Sequence, residues 1–425
     1  MLLKNEVITV TIEDVTLKGD GIARKNGFVI FVPNSFTGDV LKIHILKVTK
    51  DFARAKIIEI LTPSPARISI DCECFERCGG CTFRHISYKA ECELKNKIVK
   101  DTFLRIGKID LSPEPIIGYE HNYYRNKVSY PVGYVDNKAV FGFYARHSNR
   151  IIEHKHCYIQ NEQFYNIAEE IIGYCNLHNI DILRHIVIRQ GFYSKELSFT
   201  LVVTRKTDAF KDLKIPHVLN INKTTSNTIL GEKFLGDNII SDTICGKKIF
   251  LTPDSFYQVN TPQAEVLYGI AKEFLCLSKD DTVLDLYCGV GTISMYLSDY
   301  AKKVIGIELG KNAVKNAKRG KYANNAENTE FFCQDVADLT PANLDKPLKI
   351  VIDPPRKGCS SIKKIAELNA EKIVMISCDV GTAARDCAEF QKKGYTVKKI
   401  QPVDMFPRTG NIECVILLIK EDNAI

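Results

Sequence analysis

From Thr282 onward the chain is written in a period that few folds satisfy. Short apolar runs recur, TVLDLYCGVGTIS, KKVIGIEL, TEFFCQDV, LKIVIDPP, EKIVMISC and YTVKKIQPV, and helix-length stretches separate the first five. Uninterrupted Val, Ile and Leu suit strands covered on both faces, and helices alternating with them supply the cover. The pattern predicts a doubly wound parallel sheet, with NIECVILLIK as one more strand. Ligands of such sheets bind beyond the carboxyl ends of the strands, so the residues that follow each run form the candidate site.

Those residues are polar one after another. Asp285-Leu-Tyr287-Cys-Gly289-Val-Gly291 follows the first run, and Glu308 ends the second, 23 residues after Asp285. Asp335 ends the third, Asp353-Pro-Pro-Arg-Lys-Gly358 the fourth and Ser377-Cys378 the fifth. Two glycines let a backbone pass close to a ligand, and an acid at the second strand end can accept hydrogen bonds from ribose hydroxyls. The third glycine of the dinucleotide fingerprint is missing, so for the loop alone a tight strand-to-helix turn is the plain alternative. Asp335 also reads as a helix N-cap, and Cys378 as a small buried hydrophobe. The first four of these polar strand ends, in succession, favour a nucleoside cofactor.

At 425 residues the chain exceeds what one core organises, and its composition, 45% hydrophobic and 26% charged, is that of globular domains. Glu6 to Leu61 reads as short alternating strands broken by KGDG and PNSFTGD, a small OB-like β-barrel that the linker LTPSPAR closes. The middle of the chain mixes runs such as NKVSYPVGYV and HIVIRQGFYSKELSFTLVVT with helical segments and is expected to be α+β. The expected domains are 1–62, 63–250 and 251–425.

The net charge of +7 hints at a polyanionic partner, although a lysine-rich solvated surface gives the same number. Between Thr82 and Gln160, 13 Lys and Arg stand against 8 Asp and Glu, interleaved with Tyr119, Tyr123, Tyr124 and Tyr130. That mixture suits phosphates and unpaired bases, and also an ordinary sheet core. The first residues lack the apolar h-region of a secretory signal and no 18-residue apolar run occurs, so a cytoplasmic protein without a membrane span is expected. In a reducing compartment the 15 cysteines imply metal or catalysis more than disulfides. Cys72, Cys78 and Cys81, with Cys157 far downstream, would fit zinc or an iron-sulfur cluster, and spacing does not choose between them.

The strand-end series, together with PDSFYQVNTPQ at Pro253 to Gln263 and Phe406-Pro-Arg-Thr-Gly-Asn-Ile-Glu413, resembles the RNA 5-methyluridine methyltransferases over essentially the whole chain. The resemblance implies a TRAM domain for the barrel, a Rossmann-like methyltransferase domain at the carboxyl end, and S-adenosylmethionine as cofactor. Matched position by position, Gln258, Tyr287, Glu308 and Asp353 would contact that cofactor, with Phe256 and Asp335 lining the same site. Cys378 would be the nucleophile that adds to uracil C6, because C5 is too weak a nucleophile to take a methyl group unaided. Glu413 would be the base that removes the C5 proton. A helix amino terminus after Cys378 is expected to favour the thiolate, whereas Asp379, where the family often has Asn-Pro after the cysteine, opposes it.

The resemblance also implies a central iron-sulfur domain, with a [4Fe-4S] cluster on Cys72, Cys78, Cys81 and Cys157 and zinc as the alternative. The implied partner is RNA, 23S ribosomal RNA ahead of tRNA, with no DNA and no membrane, and the implied state is a monomer. A non-catalytic RNA-binding assembly factor with a decayed methyltransferase fold is the rival of another class. Intact Cys378 and Glu413 argue against it.

Overall fold

The computed structural model describes residues 2–205, 207–215, 218–224, 239–339 and 348–421. Val7–Thr62 forms a six-stranded, barrel-like sheet whose long strands Val40–Val48 and Phe52–Thr62 pair antiparallel. Alternation fixes which face turns inward: Leu41, Ile43 and Ile45 are fully buried while Lys42 and Leu46 are exposed. Asn26 and Gly27, both at positive φ, make the tight turn between Asp20–Lys25 and Phe28–Pro33 that the twist of a hairpin requires.

The central sheet runs Val218–Thr224, Leu197–Val203, Leu183–Gln190, Lys127–Val135, Lys138–Phe141, and the helix Gln163–Leu177 packs its Phe164, Ile167 and Ile171 against it. This α+β arrangement is not the iron-sulfur domain that the family resemblance implied. Cys72, Cys78, Cys81 and Cys157 do line one cavity of about 300 Å³, with Cys74, His154 and His156. Among the described residues, however, no group of three or more His, Cys, Asp or Glu side chains is drawn together to hold a metal ion. The thiols are instead accommodated as small apolar groups: Cys74 packs with Ala145 and Ile152, and Cys72 and Cys78 lie against them. Burial pushes the Cys78 thiol up to about 11 and the Cys157 thiol up to about 12. The expectation of a cluster or zinc on these four cysteines is corrected accordingly.

The carboxyl-terminal sheet contains β1 (Thr282–Leu286), β2 (Lys303–Glu308), β3 (Thr329–Cys333), β4 (Leu348–Ile352), β5 (Lys372–Ser377), β6 (Tyr395–Val403) and β7 (Glu413–Lys420), in the order β3-β2-β1-β4-β5-β7-β6. The first five strands are parallel. β6 and β7 form an antiparallel hairpin beside β5, because the nine residues between them are too few for a crossover. The strand order reverses between β1 and β4, which opens a crevice at their carboxyl ends.

Chain from outside this sheet completes its core. Val99 of α1 (Tyr88–Thr102) and Phe103 after it pack with Leu284, Ile350 and Met375 on one face. The hairpin Ile240–Leu251 packs with the helix Thr261–Leu275 on the other. Among the described residues no helix is long and apolar enough to cross a membrane.

Candidate active site

The loop after β1 holds Tyr287, Gly289 and Gly291 at φ of 64°, 55° and 78°. A Cβ on Gly291 would lie 2.8 Å from the Phe331 ring, whereas one on Gly289 would meet nothing within 4 Å. Packing therefore requires the second glycine, and the first faces open space above the strand ends. Asp285 below the loop is fully buried, accepts the Ser294 hydroxyl with one oxygen and leaves the other without a partner. Burial, reinforced by Asp353, pushes its carboxyl up to about 7.

Glu308 at the end of β2 ties the loop to the next helix, accepting the Gly289 amide at 3.1 Å and the Gly310 amide at 2.7 Å. Leu309 beside it and Phe332 on the adjacent strand are exposed, which sets apolar surface next to an acid, as an adenosine requires. Asp335 is exposed and caps the short turn Val336–Asp338 through the Ala337 amide at 2.8 Å, the capping alternative weighed from its sequence. Gln258 is buried, with its carbonyl held by the Asn126 side chain at 2.9 Å, while Phe256 is exposed. Arg189 of the central sheet steadies the same segment, donating to the carbonyls of Thr252 and Ser255 at 3.2 and 2.7 Å.

The second half of the site comes from β4, β5 and β7. Ser377 pairs with Cys414 at the end of the β5–β7 ladder, so one step further Cys378 lies opposite Glu413. Asp353, directly after β4, is half-buried and its carboxyl is pushed up to about 7 by burial. Glu413 is buried with one oxygen unpartnered, and burial first and Asp353 second lift it well above the ordinary carboxyl range. The Cys378 thiol is half-buried and pushed up to about 11 by burial and then by Glu413.

Arg356 opposes both shifts, its guanidinium facing the thiol and the Glu413 carboxyl. It stands in the Asp353-Pro-Pro-Arg run, so a signal for it was present, but no role could be assigned before the fold brought it to Cys378. The helix that follows is α2 (Val380–Gln391), whose amino terminus was expected to favour the thiolate. Asp379 is its N-cap and occupies the Thr382 amide at 2.8 Å, while burial is the largest cause of the raised Cys378 thiol.

A seven-stranded sheet with a glycine loop, a strand-end acid and a thiol facing a carboxyl group places the chain among nucleotide-site transferases of the methyltransferase fold. The tRNA (uracil-54, C5)-methyltransferase of Pyrococcus abyssi, solved with S-adenosyl-L-homocysteine, shares that fold with a TM-score of 0.77, over 97% of this chain and 99% of that one, at 23% identity. Residues 2–58 match the TRAM domain and residues 217–421 the tRNA (uracil-5-)-methyltransferase family. Uncharacterized RNA methyltransferases of Clostridium tetani and Halalkalibacterium halodurans are each 38% identical, over 98% of this chain and 96% and 97% of theirs. The chain belongs to this family of S-adenosylmethionine-dependent RNA methyltransferases, with a TRAM domain at its amino end.

Proposed function

We propose that the protein methylates C5 of a uridine in RNA, with 23S ribosomal RNA as the substrate, through a covalent bond from Cys378 to uracil C6. The observation that carries this reading is the β5–β7 register, which sets Cys378 opposite Glu413 at the edge where the glycine loop and Glu308 open. The open space above Gly289 and the acid-and-apolar edge at Glu308, Leu309 and Phe332 fit S-adenosylmethionine. Gln258, Tyr287, Glu308, Asp335 and Asp353 would hold it. That cofactor supplies a methyl group on a sulfonium and leaves as S-adenosylhomocysteine with the electron pair of the broken bond.

Cys378 loses its thiol proton to solvent and forms the Sγ–C6 bond, and the electron pair of the C5=C6 bond moves to C5, which takes the methyl group. Glu413 as carboxylate then takes the C5 proton. The pair left at C5 restores the double bond as the Sγ–C6 bond breaks and Cys378 leaves as thiolate. The uridine has to leave its stack for these atoms to reach it, so a looped RNA segment is the form recognised.

The protein acts as a cytoplasmic monomer in this reading, in three units, 1–62, 63–250 and 251–425. A tRNA substrate is the second reading, favoured by the description of the matching family and by the Pyrococcus protein's fold. Methyl transfer to 23S ribosomal RNA and to tRNA, measured side by side, decides between them, and tRNA labelling alone would overturn the ribosomal assignment. RNA containing 5-fluorouridine should trap a covalent adduct, because fluorine at C5 leaves no proton to remove. Cys378→Ala should abolish both adduct and methyl transfer; equal transfer by this variant would refute the nucleophile.

A further inference from the structure

Glu413 is the first residue of β7, and its partner across the ladder is Val403, the last residue of β6. Asp404 follows directly and enters a buried charge network that belongs to another part of the chain. Lys95 of α1, with no exposed side-chain surface, donates to Glu91 at 2.7 Å and to Asp404 at 2.8 Å, and its third donor points at the Phe406 carbonyl at 3.4 Å. The Tyr88 hydroxyl donates to the other Asp404 oxygen at 2.8 Å. Glu91 in turn accepts the Arg408 amide at 2.7 Å, and the Arg408 guanidinium donates to the Ile86 carbonyl at 2.8 Å and to Glu120.

This network holds backbone that would not hold itself. Arg408 sits at φ 69°, a conformation a non-glycine residue keeps only when its surroundings impose it. Its carbonyl accepts the amides of Thr82 and Phe83 at 2.7 and 3.1 Å. Asp404 follows the carboxyl end of β6, on the sheet edge that also carries Glu413, and removing one partner of a buried ion pair strands the other, so the network fixes this edge as well as adding to stability.

We propose that Lys95, Asp404 and Tyr88 are positioning residues, which fix the end of β6 and through it set the Glu413 carboxyl over the C5 proton. The inference rests on the uridine-C5 reading and sharpens it, because it concerns the proton-removal step alone. Loosening the network should slow that step while leaving attack by Cys378 and methyl transfer intact.

The test uses the full-length protein carrying Asp404→Asn, which keeps the shape of the side chain, and Tyr88→Phe, which removes one hydroxyl. With ordinary uridine RNA, Asp404→Asn should lower turnover by about 10- to 100-fold, the scale of a misplaced catalytic group, and a methylated covalent adduct should accumulate. S-adenosylmethionine affinity and the rate of adduct formation with 5-fluorouridine RNA should stay within about twofold of wild type, since neither needs the base. Tyr88→Phe should show the same pattern more weakly, and it carries the test if Asp404→Asn fails to fold. Unchanged turnover, or a fall in 5-fluorouridine adduct formation equal to the fall in turnover, would overturn the proposal. Failure of the methyltransferase reading itself would show in the wild-type arm, as no methyl transfer and no adduct.

Discussion

Burial lifts both Cys378 and Glu413 above their ordinary ranges, and a neighbouring acid adds to it in each case: Glu413 beside the thiol, Asp353 beside the Glu413 carboxyl. With the thiol pushed up to about 11, the thiolate is a small minority at neutral pH. The ionised fraction rises with pH below that value, and ionising Glu413 requires a shift in the same direction. Adduct formation with 5-fluorouridine RNA under kcat/KM conditions should therefore rise about tenfold per pH unit between pH 7 and 9. A pH-independent rate over that range would show that the thiol is not held up in the free enzyme. Both residues were legible from their motifs, whereas Arg356 was visible as a letter without a task. Its charge matters only because the turn after β4 brings it to the end of β5.

Among the elements, α2 shows how a local departure acquires a physical reason. Asp379 stands where an acid next to a thiol looks unfavourable, yet its carboxylate serves the first turn of the helix. Asp379→Ala should lower unfolding free energy by about 1 kcal/mol in denaturant titrations, and Asp379→Asn should leave it nearly unchanged, because Asn caps as well as Asp. Equal destabilisation by both would mean that the cap does not hold the helix. The alternation of runs disclosed β1 to β5, but nothing in YTVKKIQPV or NIECVILLIK distinguishes a parallel strand from an antiparallel one. Loop length settled that, and the antiparallel pairing of β7 with β5 is what sets Glu413 against Cys378.

Across the whole molecule, the barrel, the central segment and the loop before β7 are locked together. A Cβ on Gly410 would overlap the Leu17 carbonyl oxygen of a barrel turn, and a Cβ on Gly19 of the same turn would strike the Thr82 side chain. Gly410→Ala should push the barrel turn away from the loop, at about 1 to 3 kcal/mol in stability, with methyl transfer reduced and S-adenosylmethionine binding retained. Limited proteolysis, with the barrel released faster than from wild type, reads the separation; wild-type proteolysis and activity would refute the coupling.

By itself the sequence determined the layers and the chemistry of the strand ends, because hydrophobic period and turn residues act over a few positions. It also brought Cys72, Cys78, Cys81 and Cys157 to notice as one set, and they do share a cavity wall. Whether such side chains converge as metal ligands depends on contacts between segments some 75 residues apart, which spacing does not contain, and there the expectation failed. Only the tertiary structure decided that α1 completes the carboxyl-terminal core, that Lys95 is buried against Asp404, and that Glu413 faces Cys378. Each is a long-range pairing, fixed by complementary burial and charge across segments that no local pattern connects.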